Sequence, residues 1–331
     1  DVIRVRRNNT GGWALAQIPQ AQAALVSMDA FTGQVKALMG GLDFGRNQFN
    51  RVTQSKRQPG SAFKPFIYAA ALDNGYNLAS LVNDAPVVVE DPTMAQAWRP
   101  QNFSERFFGP TPLREAMIQS RNLVSIRLLM GMGLETTRNY IAELGIPKSD
   151  LPNGPSMALG SGTLAPMMVN TTHAAFLNGG YRPEPHILET LTNEGGEVIL
   201  EPVATRICPT CPETSNAGVI GDWVDPDFVG PIVPKPAPAI MSPQTAWLIH
   251  SVMKDVVRLG TGRRALAIGR DDLAGKTGTS NDLRDTWFVG TGGGLVTTVW
   301  VGRDDYESLG ELEQGGRTAL PLWVDYMDAA L

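Results

Sequence analysis

The sequence predicts an α/β fold in which one antiparallel sheet, made from both chain ends, is flanked by helices. Three observations carry this expectation. Residues 23–40 read as a hairpin: Ala24-Leu25-Val26-Ser27-Met28-Asp29 leads to the turn Phe31-Thr32-Gly33, and Gln34-Val35-Lys36-Ala37-Leu38-Met39 returns. Residues 273–280 and 286–289 are strand-like, Gly290-Thr291-Gly292-Gly293-Gly294 is a turn, and residues 295–302 return as a strand. The chain between these two hairpins is mostly helical in pattern. A sheet built from both ends, with the helical middle on its faces, is the simplest way to bury those elements.

Taken in order, the elements are these. Asp1-Val2-Ile3-Arg4-Val5-Arg6-Arg7 alternates like a strand and opens abruptly, so residues 1–22 read as a linker or the remnant of a preceding domain, with the main domain over 23–331. The first helix covers residues 61–74: its apolar run is Phe66-Ile67-Tyr68-Ala69-Ala70-Ala71-Leu72, and Asn74-Gly75 is a stop. Proline is tolerated only in a first helical turn, so Pro65 places the helix start at about Ser61 or just before it. Residues 82–108 are loop-rich, with a short strand at Val87-Val88-Val89. Thr111-Pro112 supplies a cap and an N1 proline for the next helix. Residues 123–130, 136–144, 167–177 and 245–258 complete the helices, the last one amphipathic. Residues 179–240 are rich in Gly, Pro and Asp and read as an insertion, with one hairpin around 193–196.

Composition narrows the function classes. The 331 residues suffice for a large core, and 43% hydrophobic with 18% charged residues is an ordinary globular balance. The net charge of −5 and the lack of any basic run argue against nucleic acid as a partner. No apolar stretch reaches the length of a membrane span, and no leader peptide is visible. Cys208 and Cys211 lie in a proline-rich stretch, and His173, His186 and His250 are not at paired spacing. A zinc site needs about four ligands. A local disulfide is therefore the preferred reading, with a thiol pair or a site completed by outside ligands as alternatives. No metal and no cofactor are called for.

Three short motifs carry chemistry. Ser61-Ala62-Phe63-Lys64 is S-x-x-K, Ser120-Arg121-Asn122 is S-x-N, and Lys276-Thr277-Gly278-Thr279 is K-T-G with a following hydroxyl. Each alone is weak, and a serine at a helix tip is ordinarily a cap. In this order, at a helix tip, an interhelical loop and a strand, they resemble the signature set of penicillin-binding proteins and serine β-lactamases. Further stretches are similar to the class A, bifunctional penicillin-binding proteins. They include Phe49-Asn50-Arg51, Arg57-Gln58-Pro59-Gly60, Trp98-Arg99-Pro100-Gln101-Asn102-Phe103, Ala158-Leu159-Gly160-Ser161-Gly162, Gly260-Thr261-Gly262-Arg263-Arg264-Ala265 and Trp300-Val301-Gly302-Arg303-Asp304-Asp305. Gly315-Gly316 and Pro321-Leu322-Trp323 fit as well, and the cysteine pair is similar to the Gram-negative 1a type.

The residue types suit acyl transfer, which needs a nucleophile, a base, a proton route to the leaving amine and an oxyanion hole. Ser61 is the candidate nucleophile and Lys64, one turn on, its base. An ordinary lysine at pKa about 10.4 is rarely neutral at pH 7, at a cost of about 4–5 kcal/mol, so burial and the second cation Lys276 must lower it. Ser120 can relay the proton. Lys276, Thr277 and Thr279 offer a cation and two hydroxyls to a terminal carboxylate, and Gly278 lets the strand approach the substrate backbone. The resemblance implies that Asn122 holds the substrate amide and that the Ser61 and Thr279 N–H groups form the oxyanion hole.

The resemblance further implies a β-lactamase/D,D-peptidase-like fold and a D,D-transpeptidase that cross-links peptidoglycan stem peptides and is acylated by β-lactam antibiotics. It implies a membrane anchor and a glycosyltransferase domain in the full-length protein, at the periplasmic face of the inner membrane, and a Cys208–Cys211 disulfide. Two rivals share these motifs. A class A β-lactamase would need a glutamate to activate water, and Glu135 has the right neighbours but reads as a helix-surface residue. A non-enzymatic β-lactam sensor would be acylated once. A P-loop is rejected because five residues separate Gly269 and Gly275 where the motif has four. No G-x-S-x-G surrounds any serine.

Overall fold

In the computed structural model, residues 3–8, 10–89, 97–200, 205–207, 219–220, 223–224 and 235–331 are described. Five strands form the main sheet: β1 (Ala21–Asp29), β2 (Val35–Met39), β3 (Ala274–Thr279), β4 (Asp285–Gly292) and β5 (Leu295–Arg303). Their order is β3-β4-β5-β1-β2, and every pair is antiparallel. The two chain ends meet where β5 pairs with β1, from Leu295 opposite Asp29 to Arg303 opposite Ala21. This is the sheet expected from the sequence. β4 is buried along its whole length, so its side chains face apolar layers on both sides of the sheet.

The helices are α1 (Lys64–Asp73), α2 (Leu113–Ile118), α3 (Asn122–Met132), α4 (Leu134–Glu143), α5 (Pro166–Leu177), α6 (Pro243–Leu259) and α7 (Ala319–Ala330). On one face, Trp287, Val289 and Trp300 pack with Phe66, Val169 and Ile249 of α1, α5 and α6. On the other, Phe288, Val299 and Val301 pack with Leu320, Trp323 and Met327 of α7. Alternate residues of β4 thus feed two separate cores.

Three local expectations change. The sequence reading has no helix over α7, because Gly315-Gly316 and Pro321 punctuate that stretch; Pro321 falls in the first turn, where its missing N–H costs nothing. α2 does start here, but Pro112 is its N-cap residue and not N1, and Thr111 does not cap it. They close a strand, Gly109–Pro112, that pairs with Leu81–Asp84, and the Thr111 hydroxyl donates to the Gly109 carbonyl at 2.9 Å. A residue before proline is biased to extended backbone, which favours the strand over a cap at Thr111. The strand expected at 87–89 reduces to one bridge, Val89 with Trp98. The hairpin near 193–196 is present, pairing Leu191–Thr192 with Val198–Leu200. Val5–Arg7 and Trp13–Leu15 form a separate two-stranded hairpin. Cys208 and Cys211 lie outside the described residues.

One buried ion pair fastens the segment before α1 to the sheet. Arg57 Nε donates to Asp285 Oδ1 at 2.7 Å, with the side chains only 4% and 2% exposed. Asp285 also accepts from Trp300 Nε1 at 2.9 Å and from the Ser280 hydroxyl at 3.2 Å, and Arg57 Nη2 donates to the Arg303 carbonyl at 2.7 Å. The Arg57 guanidinium lies 3.9 Å from the Tyr306 ring centre. Every strong polar group in the cluster has a partner, so removing one strands another. Asp285→Ala is expected to lower unfolding free energy by about 3–5 kcal/mol, because it leaves a buried guanidinium unpaired. Equilibrium denaturation checks this; a loss within about 1 kcal/mol would contradict it.

Candidate active site

The tip that carries Ser61 is a single 3₁₀ turn, Gly60–Phe63, running directly into α1. It is seated on the end of β3. Gly60 has φ +55°, and a β-carbon there would lie 2.2 Å from the Thr279 carbonyl, so only glycine fits. The Gly60 N–H donates to the Gly160 carbonyl at 3.2 Å, which ties the turn to the 158–162 segment quoted above. Trp287 Nε1 donates to the Gln58 carbonyl at 2.7 Å from the sheet side. Gly278 proves necessary for the same seating: a β-carbon there would lie 2.3 Å from the Pro59 carbonyl and 2.9 Å from Ala62 Cβ. Its missing side chain makes room for the Ser61 turn, where the sequence reading assigns it to close approach of the substrate.

Ser120 occupies an unusual backbone position. α2 ends in a Schellman motif, with Ser120 N–H donating to Met117 O at 3.1 Å and Arg121 N–H to Ala116 O at 2.8 Å. The left-handed residue of that motif is normally glycine; here it is Ser120, at φ +56°. A non-glycine residue there carries about 1–3 kcal/mol of strain. The strained turn delivers the Ser120 hydroxyl between two lysines. Lys276 Nζ donates to Ser120 Oγ at 2.9 Å, and Lys64 Nζ lies 3.2 Å from the same oxygen.

Lys64 is fully buried, and its Nζ also donates to the Ser120 carbonyl at 2.6 Å and to Asn122 Oδ1 at 2.7 Å. Burial, then Lys276, then Arg121 hold its pKa well below the usual lysine value, with Asp84 opposing them. Lys276 is equally buried, and burial pushes its pKa down to about 7. Its Nζ donates to the Thr277 carbonyl at 3.0 Å as well as to Ser120. Lys276 therefore lies beneath the cleft floor, where the sequence reading offers its charge to a carboxylate. No hydrogen bond engages the Ser61 hydroxyl among the described residues, and the hydrogen bonds of Lys64 Nζ go to Ser120 and Asn122.

Ser61, Ser120, Asn122, Thr277 and Thr279 line one cleft of about 780 Å³. Thr277 Oγ1 is 2.6 Å from Thr261 Oγ1, and Thr279 Oγ1 accepts the Gly315 N–H at 3.2 Å. The Asn122 amide is held at both ends, since its Nδ2 donates to the Gln101 carbonyl at 2.9 Å. One Nδ2 hydrogen remains for a ligand. Arg121, Arg263, Arg264 and Arg317 also line the cleft, with Asp282 and Glu311 as its acids. Glu135 is 64% exposed, pairs with Arg138, and is not among the cleft residues. A separate cavity of about 550 Å³ beside α5, lined by Met167, Met168 and Arg182, holds none of the three motifs.

Sequence reasoning gives Thr261, Gln101, Asn102 and Gly315 no individual role, and does not single out Arg121 except as a motif spacer. The contacts of Thr261, Asn102, Gln101 and Gly315 with the motif residues span 16 to 36 positions, which no local pattern reports.

Comparison with known proteins bears on the same region. A family profile described as the penicillin-binding protein transpeptidase domain matches residues 23–292. The chain is 45% identical to penicillin-binding protein 1A of Pseudomonas aeruginosa, with all of this chain aligned to 43% of that protein. It is 42% identical to penicillin-binding protein 1A of Neisseria meningitidis serogroup A, again over the whole chain and 38% of the relative. The chain thus spans about two fifths of the length of these curated relatives. The crystal structure of penicillin-binding protein 1A from Haemophilus influenzae superposes with a TM-score of 0.89 at 34% identity, over 99% of this chain and 50% of that one. The sheet and its flanking helices are those of the β-lactamase/D,D-peptidase fold. With the family profile running from β1 through β4 and over all three motifs, the chain belongs to the penicillin-binding protein transpeptidase domain family.

Proposed function

We propose that this domain is a serine D,D-transpeptidase that cross-links peptidoglycan stem peptides and is covalently inhibited by β-lactams. The observation that carries the reading is a hydroxyl, two buried lysines with lowered pKa and a bridging serine converging on one cleft. Ser61 attacks the carbonyl of the D-Ala-D-Ala bond. Neutral Lys64 takes its proton after a small swing of the amine from Ser120 toward Ser61. Ser120, already bonded to Lys276 and near Lys64, passes a proton to the departing D-alanine nitrogen. The N–H groups of Ser61 and Thr279 hold the oxyanion. The Thr277 and Thr279 hydroxyls meet the terminal carboxylate above the buried Lys276 charge. Asn122 uses its remaining amide hydrogen on the substrate. An acceptor amine then resolves the ester. The same reading includes a full-length protein with a glycosyltransferase domain, anchored in the inner membrane with this domain on the periplasmic side; the curated relatives, of which this chain spans 43% and 38%, are long enough to hold such further parts. Among the described residues no helix is long and apolar enough to cross a membrane.

Penicillin is expected to add to Ser61 at one equivalent per chain, read by intact mass and peptide mapping. Lys64→Ala is expected to slow that acylation by about 10²–10⁴-fold with the fold intact. An adduct on another residue would overturn the reading of Ser61, and normal acylation by the variant that of Lys64.

The adduct is also expected to persist. Glu135 is paired on the surface and is not among the cleft residues, so it cannot aim a water at the ester. The mass of the Ser61 adduct, followed after free drug is removed, is expected to decay over times well beyond minutes. Rapid decay with steady nitrocefin turnover would instead make the domain a β-lactamase.

A further inference from the structure

Beside Lys64, a second polar layer links the strand Leu81–Asp84 to the start of α3 through Asn102, which also lines the cleft. Asp84 is fully buried. Its Oδ1 accepts from Asn102 Nδ2 at 2.7 Å, and the same Nδ2 donates to the Arg106 carbonyl at 2.9 Å. Both amide hydrogens of Asn102 are thereby used, which fixes the amide orientation and aims Oδ1 at α3. There Oδ1 accepts the backbone N–H of Asn122 at 2.9 Å and approaches that of Leu123 at 3.4 Å. Asn102 is therefore the cap of α3, supplied from twenty residues upstream, at a helix end with no side-chain cap from its own N-cap residue. Asn122 in turn accepts from Lys64 Nζ at 2.7 Å.

We infer that Asp84 is a positioning residue for the acyl-transfer site: through Asn102 it fixes the Ser120–Asn122 loop, and its carboxylate is the negative group that the buried Lys64 faces. The inference rests on the proposed role of Lys64 as base. A carboxylate is an acceptor only, so it admits one orientation of the Asn102 amide and excludes the flipped one. Two further cations act on Lys64. Lys276 comes from β3, Arg121 from the loop before α3, and Lys64 itself from α1. Among the charged groups that act on Lys64, Asp84 is the one that favours the ammonium, while burial, Lys276 and Arg121 favour the amine. Tyr68 of α1 also faces Asp84; burial and then the Asp84 charge hold its phenol above the usual range, so it stays neutral. The second oxygen, Asp84 Oδ2, has no hydrogen-bond partner among the described residues. Asp84 thus sets how readily Lys64 holds a proton, at the same time as it holds the loop that Lys64 touches.

The test is the rate of penicillin acylation as a function of pH, with thermal unfolding measured for each variant. Asp84→Asn keeps an acceptor for Asn102 and removes the charge. Without the anion the neutral amine is favoured, so the acid limb of the profile is expected to move to lower pH, by up to about one unit. That limb belongs to the coupled Lys64 and Lys276 pair, and its direction of travel is the readout. Asn102→Ala is expected to slow acylation at every pH by about ten- to a hundredfold, because the α3 cap and the loop geometry are lost. An Asp84→Asn profile that merely scales, or moves to higher pH, overturns the proposal. So does an Asn102→Ala variant that acylates like the parent, and that variant decides the matter if Asp84→Asn does not fold. Lys64→Ala runs in parallel: if it acylates normally, the reading of Lys64 as base has failed, and not the placement of Asp84.

Discussion

The Arg57–Asp285 ion pair is the constraint on which the site depends. It joins the segment immediately before Ser61 to the first residue of β4, across 228 positions of sequence. The sheet brings the two chain ends together by pairing β5 with β1, but that pairing alone does not place the Ser61 turn on β3. The clamp does, together with the Trp287 bond to the Gln58 carbonyl and the Gly60–Gly160 contact. Two glycines then let the backbones close to a distance that a β-carbon would forbid. A second pair repeats the device nearby, where Arg51 Nε donates to Asp304 Oδ1 at 2.8 Å and its Nη1 to the Gly40 carbonyl at 3.2 Å. Motif residues that look unrelated along the chain are thus partners in space.

The chemistry is set against stability. Two lysines are buried beside one another, each favouring the neutral amine. For Lys276, the folded chain gives up its proton near pH 7, while the unfolded chain keeps it to about pH 10.4. Between these values the unfolded state binds more protons, so this group's destabilising contribution shrinks as pH rises through the window. Below the folded value it is fully present. A left-handed Ser120 adds strain in the same few ångströms. Fixed partners on every side hold these costs in place: the Schellman turn of α2, the Asn102 cap of α3 and the sheet under Lys276. What results is a neutral base available near physiological pH without large rearrangement.

Much of this was legible in the sequence. The sheet was readable because two hairpins carry their own turn residues, and the Ser61 helix because Pro65 admits only one register. S-x-x-K, S-x-N and K-T-G named the residues that converge, because each motif is short enough to sit on a single turn or strand. Three things were not legible. The α7 helix hid behind Gly315-Gly316 and Pro321. Gly278 looked like room for a ligand, and only the packing of Pro59 and Ala62 shows what fills that space. The roles of Lys276, Asn102 and Asp84 depend on which buried atoms they face, and those partners lie tens to more than a hundred residues away. Local pattern reports which residue types are present, and tertiary placement decides what each one touches.

The central claim is that two buried lysines share a site that keeps both pKa values low. Its most direct measurement is an NMR pH titration of protein carrying ¹³C at lysine Cε, with Lys64→Ala and Lys276→Ala used for assignment. The expected result is two lysine signals that titrate well below the ordinary lysine value, the Lys276 signal near 7, with the Lys64 signal rising when Lys276 is removed. Signals for both that titrate near the ordinary lysine value of 10.5 would contradict it.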